Sequence, residues 1–426
     1  MSFNVAADIA THKAKSFLSG KDDPVSKSQL NHRIGQEVAR TLSEMKGPLM
    51  KVGQIFAQVK DVLPPEISTA LGQLRQYAKP VPIEVIREQI QQSFGEVPEV
   101  LFATFEETPY RAASLGQVHR ATLHTGEQMV VKVQYPNVAQ DCDADLKHLR
   151  NLFRLLPLIG VDNKSLDLIF VEIEEVIRRE LDYNAEADAM AEFHDFFQAT
   201  DRVIVPKPYR ALSSKTVITM TFEQGTSLDS VHTVRAQGRG DPEFIKILSE
   251  NLLFCLAEQI FVLRKIHVDP HAGNFAVKPD GSLVMFDFGA VKELTDDAVE
   301  MFKDLVAVMF RRDIVELERL LHEKGIRKEG SPALDETFYD QWFDLFNPPF
   351  LAKTFDFTNT NLHKDALNLV KTNWKKHQAY FRPSRDTLLL DRLIVGHYWN
   401  FVHLAVEISL RDQLKSYVSF PKADVA

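Results

Sequence analysis

The sequence predicts an α+β protein in which a small mixed lobe precedes a larger helical lobe, with a helical extension in front of both. Apolar residues recur at helical spacing through residues 1–95, short strand-like segments alternate with turns through 96–225, and helical spacing returns through most of 226–426. A chain of 426 residues is long enough for two lobes and extra helices around a sizeable core.

The N-terminal extension is predicted from two segments with helical apolar spacing, Leu30–Met45 and Lys51–Val62. A Gly-Pro pair at 47–48 separates them, and a Pro-Pro pair at 64–65 ends the second, because proline lacks the amide hydrogen that a helix interior requires. We therefore expect two helices ahead of the small lobe.

The small lobe is predicted to hold one sheet and one inserted helix. Strands at Gln117–Leu123 and Gln128–Gln134 flank a turn-like His-Thr-Gly break and should form a hairpin. A helical pattern covers residues 161–197, and two short strands follow at Val203–Val205 and Thr216–Phe222. These strands are expected to complete the small sheet.

The large lobe is predicted to be helical apart from a short segment at 269–287. Within that segment, Ser282–Phe286 has the composition of a short buried strand. The predicted helices include Phe244–Ile266, Ala298–Phe310, Ile314–Lys324 and Thr387–Leu410.

Composition excludes several classes of protein. The net charge of −9 argues against binding of DNA or RNA, which needs concentrated positive charge. The two cysteines, Cys142 and Cys255, have neither the spacing of a metal site nor that of a disulfide framework.

Residues 1–20 lack the apolar core of a secretory signal, and the apolar stretch Leu393–Val406 is too short for a bilayer. We expect a cytoplasmic protein, free or peripheral to a membrane, without signal peptide or transmembrane helix.

The segment 267–274 carries the pattern H-x-D-x-x-x-x-N, and a D-F-G tripeptide begins at Asp287. Kinases use these motifs in this order, because carboxylate and amide oxygens hold the magnesium that neutralises the phosphates. Asn274 and Asp287 are the predicted metal ligands. Asp269 stands where a kinase carboxylate orients or deprotonates the attacking hydroxyl, or where an ATPase positions water. The two lobes are thus predicted to form a protein-kinase-like bilobal fold that binds ATP or ADP with Mg²⁺.

The segment 130–133, Val-Val-Lys-Val, resembles the V-A-I-K strand whose lysine holds the phosphates of the nucleotide. Lys132 is the candidate for that lysine. It requires a carboxylate from the following helix to keep it aimed. Several acidic residues compete for this role and periodicity does not choose among them: Glu172, Glu174, Glu175, Glu180, Asp182, Glu186 and Asp188.

Small residues lie where a kinase carries its glycine-rich phosphate loop. Ala112, Ala113 and Ser114 precede Gly116 between the first two strands. Such residues let backbone amides approach phosphate oxygens, although alanine narrows the conformational freedom that glycine gives. The segment is interpreted either as an altered nucleotide-binding loop or as a tight turn.

The segment after the D-F-G motif is short. Five residues separate Gly289 from Thr295, which is predicted to cap the next helix, and no A-P-E motif follows. A protein kinase uses a longer segment here to bind its peptide substrate, so we do not expect conventional protein phosphorylation. Glu223, just after the last strand of the small lobe, is assigned by position to the hinge beside the adenine.

These motifs, together with Lys51-Val52-Gly53-Gln54, resemble those of the UbiB-type (AarF-like) atypical kinase-like family, which is associated with ubiquinone and other isoprenoid lipids. The likeness runs from about Met45 to about Leu294. Lys51 and Gln54 match the family's K-x-G-Q motif and share a helix face. The segment 267–274 also resembles the family's H-x-D-P-H-x-G-N.

The resemblance implies roles for further residues. Glu180 and Asp182 match the family's E-x-D motif, whose acidic groups meet the K-x-G-Q lysine to gate the site. The same helix would then offer Glu186 as the partner of Lys132. The segment 112–119 corresponds to the family's alanine-rich loop, but Arg111 stands where the family usually has another alanine, which leaves the choice between ATP and ADP open.

The resemblance implies an ATPase, or a kinase of a small molecule or lipid, with an isoprenoid lipid or a lipid-biosynthetic protein as partner at a membrane surface. Catalysis would depend on Asp269, Lys132 and Glu186. Two other interpretations stand beside it: a small-molecule phosphotransferase akin to antibiotic kinases, and a scaffold that binds nucleotide without turnover. Intact metal ligands are compatible with each.

Overall fold

The structure is a computed structural model. It describes residues 80–113, 115–153, 171, 174–175, 177–382 and 385–420. The predicted helices Leu30–Met45 and Lys51–Val62 lie outside these residues. The chain divides into two compact units, the first formed by residues up to 189 together with 207–222, and the second by 190–206 together with 223–426.

Short strands and helices of very different length make up the described chain. The strands are β1 (Thr104–Phe105), β2 (Arg111–Ala112), β3 (Gly116–Thr122), β4 (Gln128–Gln134), β5 (Val203–Ile204), β6 (Val217–Thr221), β7 (Thr226–Ser227), β8 (Lys265–His267), β9 (Phe275–Val277), β10 (Leu283–Met285), β11 (Val291–Glu293), β12 (Phe355–Asp356) and β13 (Glu407–Ile408). The helices are α1 (Ile83–Phe94), α2 (Pro98–Leu101), α3 (Val138–Phe153), α4 (Tyr183–Phe197), α5 (Leu228–Ala236), α6 (Pro242–Glu258), α7 (Asp296–Arg311), α8 (Ile314–Glu323), α9 (Glu336–Phe346), α10 (Pro348–Leu351), α11 (Leu362–Leu369), α12 (Lys375–His377), α13 (Arg385–Leu404) and α14 (Leu410–Leu414).

The first unit is built on an antiparallel sheet of order β1-β3-β4-β6, with β2 also pairing to β3. The predicted hairpin is therefore confirmed. Successive side chains of a strand point to opposite faces. One face buries Ala121, Val131 and Val133 against Ile86 and Ile90 of α1. Each valine or isoleucine side chain, when fully buried, contributes about 1.5–3 kcal/mol.

The second unit contains a sheet of order β5-β10-β9-β7, in which β5 runs parallel to β10. The expectation that Val203–Val205 joins the small sheet was wrong, because Val203 pairs with Leu283 in the second unit. A strand of two residues is too short for its pattern to indicate its partner. Residues 190–206 thus group with the second unit, although they fall within the span 96–225 predicted for the small lobe.

The helical segment predicted at 161–197 is interrupted in its described part. Residues 177–180 are helical, Leu181 and Asp182 break the helix, and α4 then begins at Tyr183. The Asp182 carboxylate accepts a hydrogen bond from Asn184 N at 3.1 Å, which satisfies an amide at the start of α4. Helix α3 was not predicted.

The predicted helix Phe244–Ile266 corresponds to α6, which begins two residues before the predicted start and ends eight residues before the predicted end. Asp241 caps its start by accepting from Glu243 N at 3.2 Å. The predicted end at Ile266 was wrong. Helix α6 passes into a π-helical turn at Gln259–Leu263, and Arg264 then adopts a left-handed conformation at φ 58°. The chain leaves this turn as β8, which pairs with β11.

Of the remaining predicted helices, two match the structure and one ends before its predicted end. Helices α7 and α8 confirm the segments predicted at Ala298–Phe310 and Ile314–Lys324. Helix α13 ends at Leu404 rather than Leu410, because Ala405 adopts φ 48°. Across the described part of the chain, no helix has both the length and the apolar character that crossing a membrane requires.

Candidate active site

Lys132 lies in the middle of β4, and Glu186 of α4 holds its ammonium. Lys132 Nζ donates to Glu186 Oε1 at 2.8 Å and to Oε2 at 2.9 Å. The exposed fraction of the side chain is 15% for Lys132 and 2% for Glu186. The Tyr183 ring lies 4.7 Å from Nζ, which adds a cation–π contact. A contact to both carboxylate oxygens fixes where the ammonium points.

The structure thereby separates the acidic residues that the sequence left in competition. Asp188 pairs with Arg210, and Glu175 pairs with Arg179 at 2.8 Å. These four side chains are all 38% exposed or more, unlike Glu186. Surface pairs of this kind contribute little to stability because both charges stay hydrated.

The residues of the predicted gate are described in part. Glu180 is 6% exposed, and its backbone oxygen accepts from Gln134 Nε2 at 3.4 Å. Asp182 caps α4 as described above. Lys51 and Gln54 lie outside the described residues.

The alanine-rich segment is a tight hydrogen-bonded turn between β2 and β3. Ala113 N donates to Gly116 O at 2.9 Å, and Ala112 pairs with Gln117. A Cβ atom at Gly116 would lie 1.9 Å from the backbone oxygen of Val133, so only glycine fits here. Ser114 is outside the described residues. This geometry is compatible with both interpretations of the segment.

Four predicted site residues belong to the second unit: Glu223, Asp269, Asn274 and Asp287. Asp269 and Asn274 share a loop after β8. Asn274 Nδ2 donates to Asp269 O at 3.1 Å, and Asn274 N donates to His271 O at 2.9 Å. The amide nitrogen of the Asn274 side chain is thus occupied within the loop. Its oxygen, Oδ1, is the atom that it can offer to a cation.

Asp287 follows β10, opposite Asn274. Phe286 N donates to Asn274 O at 3.1 Å, which places Asn274 beside the residue that precedes Asp287. Asp287 Oδ1 accepts from Gly289 N at 3.0 Å. An amide and a carboxylate oxygen at neighbouring strand ends suit Mg²⁺, which binds one or two protein carboxylates and completes its shell with phosphates and water. The two side chains therefore fit the metal that the motifs imply.

The aromatic residue of the D-F-G motif is buried. Phe288 is 2% exposed, with its ring 5.1 Å from that of Phe193 and 6.0 Å from that of His267. His267 N donates to Gln259 Oε1 at 2.8 Å. Gln259, on the π-helical turn, therefore holds the start of the loop, a role for which the sequence offered no motif.

The segment that follows Gly289 is tied down at both ends. Val291 pairs with His267 in the two-stranded β8–β11 sheet. Thr295 Oγ1 accepts from Ala298 N at 3.1 Å, which confirms the predicted cap of α7. Glu223 begins the second segment of the second unit, and its carboxylate accepts from Lys278 Nζ at 2.9 Å.

Comparisons with known proteins agree on the fold and the family. The ABC1 atypical kinase-like domain matches residues 73–321, which is more than half of the chain. A probable serine/threonine-protein kinase, abkA of Dictyostelium discoideum, is 28% identical over 85% of this chain and 66% of its own length. The atypical kinase coq-8, mitochondrial, of Caenorhabditis elegans is 29% identical over 68% of this chain and 39% of its own. The chain thus spans less than two thirds of these relatives.

A solved structure extends the likeness to the architecture. The complex of Rv3197 with erythromycin from Mycobacterium tuberculosis superposes with a TM-score of 0.65 at 21% identity, and covers 88% of this chain and 93% of the other. At that identity the likeness shows the fold alone. From the family match and the kinase motifs in their order, the chain belongs to the ABC1 (UbiB-type) atypical kinase-like family.

Proposed function

We propose that this protein is a magnesium-dependent kinase-fold ATPase, or a kinase of a small molecule or lipid, that acts in ubiquinone or related isoprenoid-lipid metabolism. The observation that supports it best is the contact of Lys132 with both carboxylate oxygens of Glu186 in a member of an atypical kinase-like family. A lysine paired in this way with a buried glutamate is the arrangement that active kinases use to hold phosphates.

Each predicted residue has a distinct role in this proposal. Lys132 would bind the phosphates of ATP or ADP, and Glu186 would keep its ammonium aimed. Asn274 and Asp287 would bind Mg²⁺, which neutralises charge on the phosphates when bound. Asp269 would orient the attacking hydroxyl or water.

The nucleotide would have further contacts with the alanine-rich turn and the hinge. The residues proposed for these contacts are Ala112, Ala113, Ser114 and Glu223. Lys51 and Gln54 would act with Glu180 and Asp182 as a gate. If so, replacing Lys51 should change turnover or the preference between ATP and ADP, and unchanged turnover and binding would contradict the gate.

The proposed acceptor is not a protein. Only five residues lie between Gly289 and Thr295, and three of them form β11, which pairs with β8. This segment is too short to bind a peptide substrate as the longer segment of a protein kinase does. The family resemblance supports an isoprenoid lipid or a lipid-biosynthetic protein at a membrane surface as the partner.

Phosphate release from Mg-ATP by purified protein tests the proposal. The variant Asp287→Asn removes the metal-binding carboxylate. Asp280→Asn is the matched control, because Asp280 Oδ1 accepts from the amide two residues on, Ser282 N at 2.9 Å, as Asp287 Oδ1 accepts from Gly289 N. Each protein is assayed with and without anionic vesicles that contain a quinone-like phenol.

We expect release by the wild type and by Asp280→Asn, and loss of release in Asp287→Asn. Stimulation by the vesicles would support the lipid role. Equal release by all three proteins would contradict the proposed metal site. No release by any of them, with nucleotide binding demonstrated, would favour a nucleotide-binding scaffold instead. Transfer to a soluble hydroxylated acceptor unrelated to isoprenoid lipids would favour a phosphotransferase akin to antibiotic kinases instead.

A further inference from the structure

The loop that carries Asp269 has three consecutive backbone carbonyls, each with its own donor. Asp269 O accepts from the side chain of Asn274 at 3.1 Å, and His271 O accepts from the backbone of Asn274 at 2.9 Å. Pro270 O, between them, accepts from Asn400 Nδ2 at 3.0 Å, across 130 residues of sequence. Two of the three bonds are internal to the loop, and the third comes from helix α13.

Asn400 is well placed to act as a fixed donor. It is 4% exposed, and Nδ2 also lies 3.5 Å from Nδ1 of His397, one turn earlier on the same helix. A side-chain amide nitrogen carries two hydrogens, so it can serve both acceptors. A carbonyl oxygen accepts only, which requires the nitrogen rather than the oxygen of Asn400 to face Pro270.

The helix approaches the loop as closely as a glycine permits. A Cβ atom at Gly396 would lie 1.9 Å from Cγ and 2.7 Å from Cβ of Pro270. Glycine is a poor residue for the interior of a helix, and this one lies within the 20 residues of α13. Close packing on the proline ring gives a physical reason for its presence.

Helix α13 is anchored in turn at its C-terminal end. Arg235 of α5 donates through Nε to Leu404 O at 2.9 Å and through Nη2 to Ala405 O at 3.1 Å. These carbonyls are those of the last residue of α13 and of the residue that follows it, for which the helix has no internal donors. A helix fixed at that end provides a stable support for the loop.

We propose that Asn400 is a positioning residue, which holds the Pro270 carbonyl and thereby keeps the 269–274 loop in the geometry that aims Asp269 and Asn274. This inference deepens the proposed function and rests on it for the catalytic consequence. It assigns a role to the C-terminal helical region, for which the sequence offered no motif. In this role Asn400 acts through the loop backbone, because its side-chain amide donates to the Pro270 carbonyl.

The test uses the full chain and the variant Asn400→Leu, which keeps the number and branching of the side-chain heavy atoms and removes the donor. The matched control is Asn347→Leu. Asn347 is also 4% exposed, and its Nδ2 donates to a backbone oxygen, that of Met309, at 2.6 Å. Each variant loses one hydrogen bond from a buried side-chain amide to a backbone carbonyl. Only the bond from Asn400 ends on the 269–274 loop. Measurements are made at a temperature at which all three proteins are folded by circular dichroism.

Two readouts are compared. Hydrogen–deuterium exchange is followed in peptides that cover residues 268–275, and this needs no turnover. The kcat and KM for Mg-ATP are measured in parallel. In Asn400→Leu we expect faster exchange in these peptides and a kcat lower by roughly tenfold to a hundredfold, since small displacements of catalytic groups have effects of that size. We expect KM to change by less than about threefold and Asn347→Leu to match the wild type in both readouts.

The outcomes separate this inference from the proposed function. Unchanged exchange in Asn400→Leu would overturn the inference, whether or not the wild type turns over. Faster exchange with an unchanged kcat would overturn the positioning role. If the wild type shows no turnover, the ATPase proposal fails, and the inference is decided by loop exchange and by the Mg²⁺ concentration for half-maximal nucleotide binding. An increase in both, confined to Asn400→Leu, would support it.

Discussion

Lys132 Nζ donates to both carboxylate oxygens of Glu186, and the carboxylate is almost fully removed from water. A buried charge that loses its partner is strongly destabilising, because desolvation of the remaining charge is no longer offset. Replacing both charges with apolar groups avoids that cost. The pair should therefore show large coupling in a double-mutant cycle.

The cycle uses Lys132→Met, Glu186→Leu and the double variant. We expect the free energy of unfolding to fall by about 3–5 kcal/mol in Lys132→Met, which leaves the carboxylate buried. The double variant should lose less than the sum of the two single losses, by about 1 kcal/mol or more. Urea unfolding followed by fluorescence measures this. Additive effects would show that the two groups are not energetically coupled.

The cap of α7 gives a second stability prediction. Thr295 Oγ1 accepts from Ala298 N at 3.1 Å, at the end of the short segment that follows the D-F-G motif. Thr295→Ala leaves that amide without its side-chain partner, and the free energy of unfolding should fall by about 1 kcal/mol. Thr295→Ser keeps the hydroxyl and serves as the control. Equal destabilisation by both changes would point to the lost methyl group rather than the cap.

The sequence predicted those parts of the fold whose signals are local. The hairpin of β3 and β4, the strand before Asp287 and the cap at Thr295 all follow from patterns within a few residues. The sheet to which Val203 belongs did not follow, because its partner Leu283 is distant in sequence. The end of α6 was missed because a π-helical turn keeps an apolar pattern.

The same distinction applies to the candidate site. Asp269, Asn274 and Asp287 stand in motifs and could be named from the sequence. Glu186 could be chosen only through a family resemblance, since burial against Lys132 is a property of the folded chain. Asn400 had no signal at all, because its contact with the loop is made across 130 residues by a single amide.

His397 predicts how stability depends on pH. Burial, and to a smaller extent the charge of nearby His267, lower the pKa of this histidine to about 3. The unfolded chain takes up a proton near the ordinary value of about 6.5, whereas the folded chain does not. His397 should therefore leave the free energy of unfolding unchanged above about pH 7. As the pH drops from about 6.5 towards 3, it should lower the free energy of unfolding by up to about 1.4 kcal/mol per pH unit.

The variant His397→Gln isolates this contribution, since other histidines act in the same direction. His232 is one of them, because burial lowers its pKa to about 4. We expect the free energy of unfolding of the variant to fall less steeply than that of the wild type between pH 6.5 and 5, in urea titrations at fixed ionic strength. Parallel curves would mean that His397 takes up its proton in the folded chain.

Gly396→Ala sets helix propensity against packing. Alanine favours a helix interior by about 1 kcal/mol relative to glycine. The new Cβ would, however, overlap the rigid ring of Pro270, whose Cγ lies 1.9 Å from it. Overpacking of this kind costs about 1–3 kcal/mol, so the variant should be less stable than the wild type despite its better helix former.

The double variant Gly396→Ala/Pro270→Gly identifies the cause. Removing the ring deletes the atoms that the new methyl group would meet, so the effect of Gly396→Ala should be smaller in the Pro270→Gly background than in the wild type. Urea unfolding of the four proteins gives this difference. If Gly396→Ala stabilises the wild-type chain, α13 must lie further from the loop than the structure places it, and the direct bond from Asn400 to Pro270 would be lost with that contact.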